Sequence, residues 1–159
     1  MENLLKLLRD DPNLTVDELS RMLNIPKEMV EEKLKTLKQN GIVLGYRAIL
    51  NEEKLGIDLV RALIEVKITP ERGGGFDRLA ERISKYDEVR SCYLMSGAYD
   101  LMVVVEGDNL KEVAKFVSEK LATIPGVIST ATHFMLKPYK EQGILMKQEV
   151  DNGRLPVTP

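Results

Sequence analysis

The side chains that could carry chemistry in this sequence are few and far apart. Its 159 residues include one histidine, His133, and one cysteine, Cys92, which are 41 positions apart. A nucleophile needs a neighbouring base and a metal ion needs several ligands, so this pair predicts neither kind of site. The sequence also lacks a GxxxxGKS or GxxxxGKT phosphate loop, a GxGxxG dinucleotide fingerprint and a His-x-x-x-His pair. We therefore expect no catalytic residue, no metal and no cofactor.

The composition is typical of a soluble globular protein. Hydrophobic residues make up 43% and charged residues 30% of the chain, and no apolar run approaches the ~18 residues of a membrane helix. The first residues lack the basic start and apolar run of a signal peptide. Because a single cysteine cannot form an internal disulfide, we expect a cytoplasmic protein that has no membrane partner.

The charge of the chain does not indicate a nucleic-acid partner. The formal net charge is −2, and residues 1–50 carry eight basic and eight acidic side chains. A DNA-binding domain is usually basic, because much of its affinity comes from neutralising phosphates. Composition alone therefore does not predict DNA binding.

Three short helices are predicted in the first third of the chain, at about residues 4–9, 15–23 and 26–40. Thr15 and Glu18 have the spacing of a capping box at the start of the second helix. Pro26 suits the first turn of the third helix and Gly41 ends it. The apolar residues 42–48 follow and predict a strand-like wing. This order predicts a helix-turn-helix for DNA, although a plain three-helix bundle fits the same pattern.

The rest of the chain predicts the order strand, helix, strand, strand, helix, strand. The strands are expected at residues 60–68, 89–95, 101–105 and 127–136, and the first helix at 76–86. Asp108 is the expected cap of the second helix, whose apolar stripe is Leu110, Val113, Ala114, Val117 and Leu121. The order is that of a ferredoxin-like βαββαβ domain with an antiparallel sheet and both helices on one face. The other face needs cover, so we expect at least a dimer.

Five segments of the sequence together resemble the Lrp/AsnC family, also called feast/famine regulatory proteins. They are LNI at residues 23–25, NGIVLGYRA at 40–48, NEEKLG at 51–56, SGAYDL at 96–101 and IPGVISTAT at 124–132. Each segment is weak evidence alone, but all five occur in the family's order and on the expected elements. The resemblance covers roughly residues 2–140.

The resemblance implies a transcription regulator that binds double-stranded DNA and responds to a small molecule. In this family the C-terminal domain dimerises, often builds octamers, and binds an amino acid or similar effector between dimers. The Gly-x-Tyr-Asp turn lies at that effector site, which here implies Gly97, Tyr99 and Asp100, together with Thr130 and Thr132. A carboxylate would suit backbone N–H groups near Gly97 and an ammonium would suit Asp100. The alternative for these residues is a plain turn glycine at Gly97, a packed ring at Tyr99 and a turn-stabilising carboxylate at Asp100.

The predicted domains follow from the same evidence. The fold class is α+β, with a winged helix-turn-helix at residues 1–48 and a linker at 49–58. An effector-binding and oligomerisation domain of the ferredoxin-like type is expected at 59–140. A partly mobile extension is expected at 141–159, where residues 144–146 could add a short strand.

The third helix departs from the family, whose members commonly carry basic residues at its middle. Here Glu31 and Glu32 occupy that place. The remaining candidates for DNA contact are four lysines for phosphates and two hydrogen-bonding side chains: Lys27, Lys33, Lys35, Lys38, Thr36 and Gln39. A solvated helix face is the alternative for these charges, and strong DNA binding is in doubt.

Two other functions fit the same architecture. Some haem-pathway decarboxylases that act on sirohaem-type substrates share it, but an acidic tetrapyrrole would need several basic or histidine side chains. This chain offers His133 and a neutral first domain. A sensor or assembly protein whose helical domain has lost DNA binding is the other alternative, and Glu31 and Glu32 support it. We expect a regulator and no enzyme.

Overall fold

The protein consists of two compact units that divide between residues 49 and 50. The computed structural model describes residues 2–56, 58–69 and 75–146. Each unit has its own buried hydrophobic core. Among the described helices, none is both long and apolar enough to cross a bilayer.

The first unit contains the three predicted helices, α1 (Glu2–Asp10), α2 (Val16–Leu23) and α3 (Lys27–Gln39). The capping box is confirmed: Thr15 Oγ1 accepts from the Glu18 N–H at 3.3 Å, and Glu18 Oε2 accepts from the Thr15 N–H at 2.8 Å. The Ser20 hydroxyl donates to the Ile25 carbonyl at 2.6 Å and closes the turn between α2 and α3. The sequence thus fixes a helix-turn-helix through local hydrogen bonds.

The core of the first unit is made by one apolar side of each helix, with Leu4, Leu8, Leu19, Val30 and Leu37 buried. The structure differs from the predicted strand-like wing at residues 42–48, because residues 43–50 have no regular secondary structure in the described chain. Leu44 is 92% exposed and Tyr46 half exposed. A strand needs a neighbouring strand for its hydrogen bonds, and residues 43–50 pair with no strand in the described part of the chain.

The middle of the predicted linker, residues 49–58, is a short helix, α4 (Glu52–Leu55). Asn51 caps it by accepting from the Lys54 N–H at 3.1 Å, and the Asn51 side-chain amide donates to the Met146 carbonyl at 3.1 Å. Glu52 also forms an ion pair with Arg61 at 3.1 Å. These contacts make α4 part of the second unit.

The second unit is a four-stranded antiparallel sheet in the order β2-β3-β1-β4 with two helices on one face. Its elements are β1 (Val60–Ile68), α5 (Asp77–Ile83), β2 (Val89–Leu94), β3 (Leu101–Gly107), α6 (Leu110–Lys115) and β4 (Val127–Phe134). A π-helical segment (Phe116–Leu121) continues α6. A hairpin of β5 (Lys140–Glu141) and β6 (Ile144–Leu145) follows, as expected for residues 144–146. Residues 147–159, part of the predicted extension, lie outside the described residues.

Buried and more exposed side chains alternate along β1, as predicted, and this alternation distinguishes the two faces of the sheet. Ala62, Ile64, Val66 and Ile68 are buried beneath the helices. The intervening side chains belong to the face without helices, which we call the open face. Its members on β1 and β3 are Arg61, Leu63, Glu65, Lys67, Met102, Val104 and Glu106. The register pairs Arg61 with Glu106, Leu63 with Val104 and Glu65 with Met102.

The second helix of this unit differs from its prediction in cap and buried stripe. Asn109, and not Asp108, caps α6 by accepting from the Glu112 N–H at 3.0 Å. Leu110 is 57% exposed and Ala114 is exposed as well. Phe116 is buried instead, three residues after the buried Val113. The π-helical segment, which has more residues per turn than an α-helix, then brings Leu121 into the core five residues after Phe116.

Candidate functional site

Helix α3 presents two different sides. Val30 and Leu37 are fully buried and Leu34 is partly buried against the same core. Glu28, Glu32, Lys35 and Gln39, spaced by four, three and four residues, occupy the opposite side and are exposed. In a helix-turn-helix the second helix of the motif enters the major groove, so this outward side is the one that can meet DNA bases.

The six predicted DNA-contacting residues are distributed around α3 and are not equally free. Lys27 Nζ lies 2.7 Å from Asp17 Oδ1. Lys38 Nζ lies 5.7 Å from the centre of the Tyr46 ring. Thr36 donates its hydroxyl to the Glu32 carbonyl of its own helix at 2.9 Å.

Lys33 is half-buried at the flank of α3. Lys35 and Gln39 lie on the outward side and make no hydrogen bond or ion pair within the part of the chain that the structure describes. The structure therefore favours Lys35 and Gln39 for contact with bases. It leaves Lys27, Lys33 and Lys38 at the flanks, where a phosphate backbone would run.

Gly97, Tyr99 and Asp100 lie together in the turn between β2 and β3. Asp100 ties this turn to the end of β1: its Oδ2 accepts from the Ile68 N–H at 2.8 Å and its own N–H donates to the Val66 carbonyl at 3.0 Å. The Met95 N–H donates to the Asp100 carbonyl at 2.8 Å and closes the turn. Asp100 thus makes the turn-stabilising contact of the alternative interpretation, with a partner, the Ile68 N–H, that the sequence did not indicate.

The outer part of this turn is open. Residues 96–98 are exposed, and the backbone N–H groups of residues 96–99 donate to no acceptor among the described residues. A Cβ atom built on Gly97 would have no described heavy atom within 4 Å. Successive unpaired N–H groups beside a carboxylate can bind a ligand that carries both charges.

Thr130 and Thr132 lie across β1 from the turn, on β4. Thr130 is paired with Val66, the residue whose carbonyl accepts from Asp100. Because two strand spacings separate β3 from β4, Thr130 is roughly 10 Å from the turn. Thr132 is paired with Ile64, two residues farther from that end of the sheet. The structure brings Thr130 near the turn and leaves Thr132 at a greater distance.

An ion-pair group occupies the opposite end of the open face. Glu106, with a side chain that is only 7% exposed, lies 2.7 Å from both Arg61 and Arg90. Burial raises the pKa of Glu106, but the hydrogen bonds and charges of the two arginines outweigh burial and hold the pKa below its usual range. Since Arg61 also contacts Glu52, this group links α4 to the sheet.

The centre of the open face is largely apolar. Leu63, Met102 and Val104 are half-buried by their neighbours, and Tyr93 is 54% exposed. Their register places them side by side on β1, β3 and β2. No helix of the described chain covers this face, which therefore offers an apolar surface to another molecule.

Sequence reasoning missed two features of these sites. The first is the contact between Asp100 and the Ile68 N–H, which joins residues 32 positions apart and depends on the strand register. The second is the position of Glu28 on the outward side of α3. The spacing of Glu28, Glu32, Lys35 and Gln39 is a periodic signal that was available in the sequence.

Two family models match the chain, one for each unit. The model described as "Lrp/AsnC ligand binding domain" matches residues 61–145, more than half of the chain. The model described as "Winged helix-turn-helix DNA-binding" matches residues 2–43. The first range includes all five candidate effector residues, and the second includes all six candidate DNA residues.

Similar proteins cover nearly the whole chain. An uncharacterized HTH-type transcriptional regulator of Bacillus subtilis (strain 168), YugG, is 41% identical over 98% of this chain and 95% of its own length. A proline dehydrogenase transcriptional activator of Rhizobium radiobacter is 31% identical over 89% of this chain and 90% of its own length.

A solved structure shares both units. The transcriptional regulator NMB0573 of Neisseria meningitidis, crystallised as a complex with L-Met, is 28% identical over 87% of this chain and 88% of its own, with a TM-score of 0.68. Together with the two domain matches and the identity across the whole length, this shows that the chain is a DNA-binding transcription regulator of the Lrp/AsnC family.

Proposed function

We propose that this regulator changes its DNA binding in response to an amino acid or similar small effector bound at the turn between β2 and β3. The observation that carries the proposal is that backbone N–H groups without acceptors, at residues 96–99, lie next to the Asp100 carboxylate in the same turn. The N–H groups suit the carboxylate of an amino acid, and Asp100 suits its ammonium. The complex of the Neisseria relative with L-Met supports this class of ligand.

Asp100 can serve both the turn and the ligand. Its Oδ2 is engaged by the Ile68 N–H, whereas Oδ1 makes no hydrogen bond with the described residues. A carboxylate has acceptor sites on both oxygens, so the free one can take an ammonium. Tyr99 is half-buried beside Asp100 and would line the site, with Thr130 across β1. Thr132 would contact an effector that extends along β4.

A second surface is needed to enclose a ligand at this turn, because residues 96–98 are exposed in the single chain. We infer that other copies of the chain supply it, and that the open face of the sheet pairs first to give a dimer. The apolar centre formed by Leu63, Met102 and Val104 supports this pairing. An octamer of such dimers is an inference from the family resemblance. A cytoplasmic location is inferred from the single cysteine, Cys92, which cannot form an internal disulfide.

DNA binding by this protein should depend steeply on salt. If about four flanking lysines of a dimer contact phosphates, the logarithm of the binding constant should fall with the logarithm of salt concentration with a slope of roughly −3 to −5. Replacing Glu31 and Glu32 with lysine should tighten binding to duplexes of unrelated sequence, since phosphate contacts carry no sequence information. Unchanged affinity would mean that α3 does not face DNA.

Calorimetric titration of the wild-type chain with each of the twenty amino acids tests the effector proposal. We expect saturable binding of at least one amino acid at millimolar concentration or below. Absence of binding for all twenty would contradict the proposed effector class. Light scattering at micromolar protein tests the self-association separately, and the mass of a single chain would contradict it.

A further inference from the structure

The outward side of α3 carries two acids in its N-terminal half, where a basic surface would favour DNA. Glu28 and Glu32 are exposed, one turn apart, and opposite to the buried Val30 and Leu37. Neither carboxylate forms an ion pair or hydrogen bond within the described residues. Both carboxylates are therefore accessible on the surface that a helix-turn-helix directs into the major groove.

Carboxylates in that position weaken binding to most sequences. The groove is bordered by phosphates, and a negative side chain gains nothing from an acceptor edge such as guanine N7 or O6. Repulsion is offset where the base edge offers a hydrogen-bond donor. In the major groove the donors are the amino groups of cytosine and adenine.

Cytosine fits a carboxylate better than adenine does. Adenine presents its N7 acceptor next to its amino group, so a carboxylate that approaches the donor also meets a repelling lone pair. Cytosine presents its N4 amino group without a neighbouring acceptor on the same base. A carboxylate on the recognition side therefore discriminates in favour of cytosine.

We propose that Glu28 and Glu32 are specificity-determining residues that each accept a hydrogen bond from a cytosine N4 amino group. Lys35, three residues after Glu32 on the same side, donates to a guanine O6 or N7. The two carboxylates weaken binding to other sequences by repulsion, and hydrogen bonds to the G·C pairs offset that repulsion at the preferred sequence. An acidic α3 then makes the protein selective rather than inactive on DNA.

The helix geometry limits where these base pairs lie. Residues four apart on a helix are separated by roughly 6 Å along its axis, which is close to two base-pair steps of DNA. The cytosines selected by Glu28 and Glu32 should thus lie within about two or three base pairs of each other. Both should belong to one half-site.

Selection from random duplexes tests this assignment with isosteric variants. Wild type, Glu28→Gln and Glu32→Gln are each selected against the same pool, with Glu31→Gln as the control of equal charge change on the same helix. Glu31 is exposed between the outward side and the flank. The three replaced side chains are exposed, and circular dichroism tests whether the variants remain folded.

We expect wild type to enrich a motif with G·C pairs at the two positions. Each of Glu28→Gln and Glu32→Gln should reduce the preference for cytosine at one position, by roughly 5- to 150-fold for a full contact. Glu31→Gln should raise affinity for all duplexes alike and leave the motif unchanged. The proposal is overturned if wild type enriches no motif, or if the motif survives both Glu28→Gln and Glu32→Gln.

Discussion

Asp100 holds the turn between β2 and β3 and also lies at the proposed effector site, and two substitutions separate these roles. Asp100→Ala removes the acceptor of the Ile68 N–H, which belongs to a residue that is only 3% exposed. A buried donor left without a partner costs about 1–3 kcal/mol. Asp100→Asn keeps an oxygen for that N–H and removes the charge, so we expect it to cost less than about 1 kcal/mol of stability.

The two variants should lose ligand affinity alike. A hydrogen bond to a charged ammonium contributes about 1.5–3 kcal/mol, so effector binding should weaken roughly 10- to 150-fold in both Asp100→Asn and Asp100→Ala. Calorimetric titration gives the affinity, and urea unfolding followed by circular dichroism gives the stability of the same samples.

Each role can be refuted alone. Wild-type effector affinity in Asp100→Asn would show that Asp100 makes no ammonium contact and that the carboxylate serves only the turn. Wild-type stability in Asp100→Ala would show that the hydrogen bond to Ile68 contributes nothing, which would contradict the geometry of the turn.

Three further changes test the fold. The lowered pKa of Glu106 should stabilise the second unit above about pH 4.5, and that stability should be lost as pH falls through the folded pKa. In Glu106→Gln the pH-dependent part of the free energy of unfolding should vanish. The variant should be less stable by about 2 kcal/mol at neutral pH, because Arg61 keeps a weaker partner. Urea unfolding at several pH values measures both effects. Thr15→Ala should cost about 1 kcal/mol through the lost cap, and unchanged amide exchange in α2 would contradict this. Gly126→Ala should cost about 1–3 kcal/mol, since Gly126 has φ +97° and a Cβ there would lie 2.9 Å from Leu79 Cδ1; an unchanged unfolding midpoint would refute it.

Most of the fold follows from short-range patterns in the sequence. The alternation in residues 60–68 predicted β1 and its buried side, because a strand with one covered face has a period of two. The pair Thr15 and Glu18 predicted the start of α2, because a capping box is formed within four residues. Patterns of this kind need no information from distant parts of the chain.

The structure differs from the sequence-based prediction where the position of a residue depends on contacts with distant parts of the chain. The predicted stripe of α6 included Leu110 and Ala114, which are exposed, and omitted Phe116, which is buried; several apolar residues fit helical spacing, and packing against the sheet decides among them. In the effector site, the turn residues are adjacent in sequence and could be grouped from it. The placement of Thr130 beside Val66 depends on the pairing of β1 with β4, two strands far apart in the sequence, which no local pattern reveals.

The central claim is that effector binding in the second unit alters DNA binding by the first. The most direct test is the dissociation constant for a selected duplex, measured by fluorescence anisotropy at fixed salt with and without a saturating amino acid that binds the protein. We expect the constant to change by roughly 5- to 150-fold, the usual range of coupling between two sites. An unchanged constant, with the amino acid shown by calorimetry to be bound, would contradict the claim.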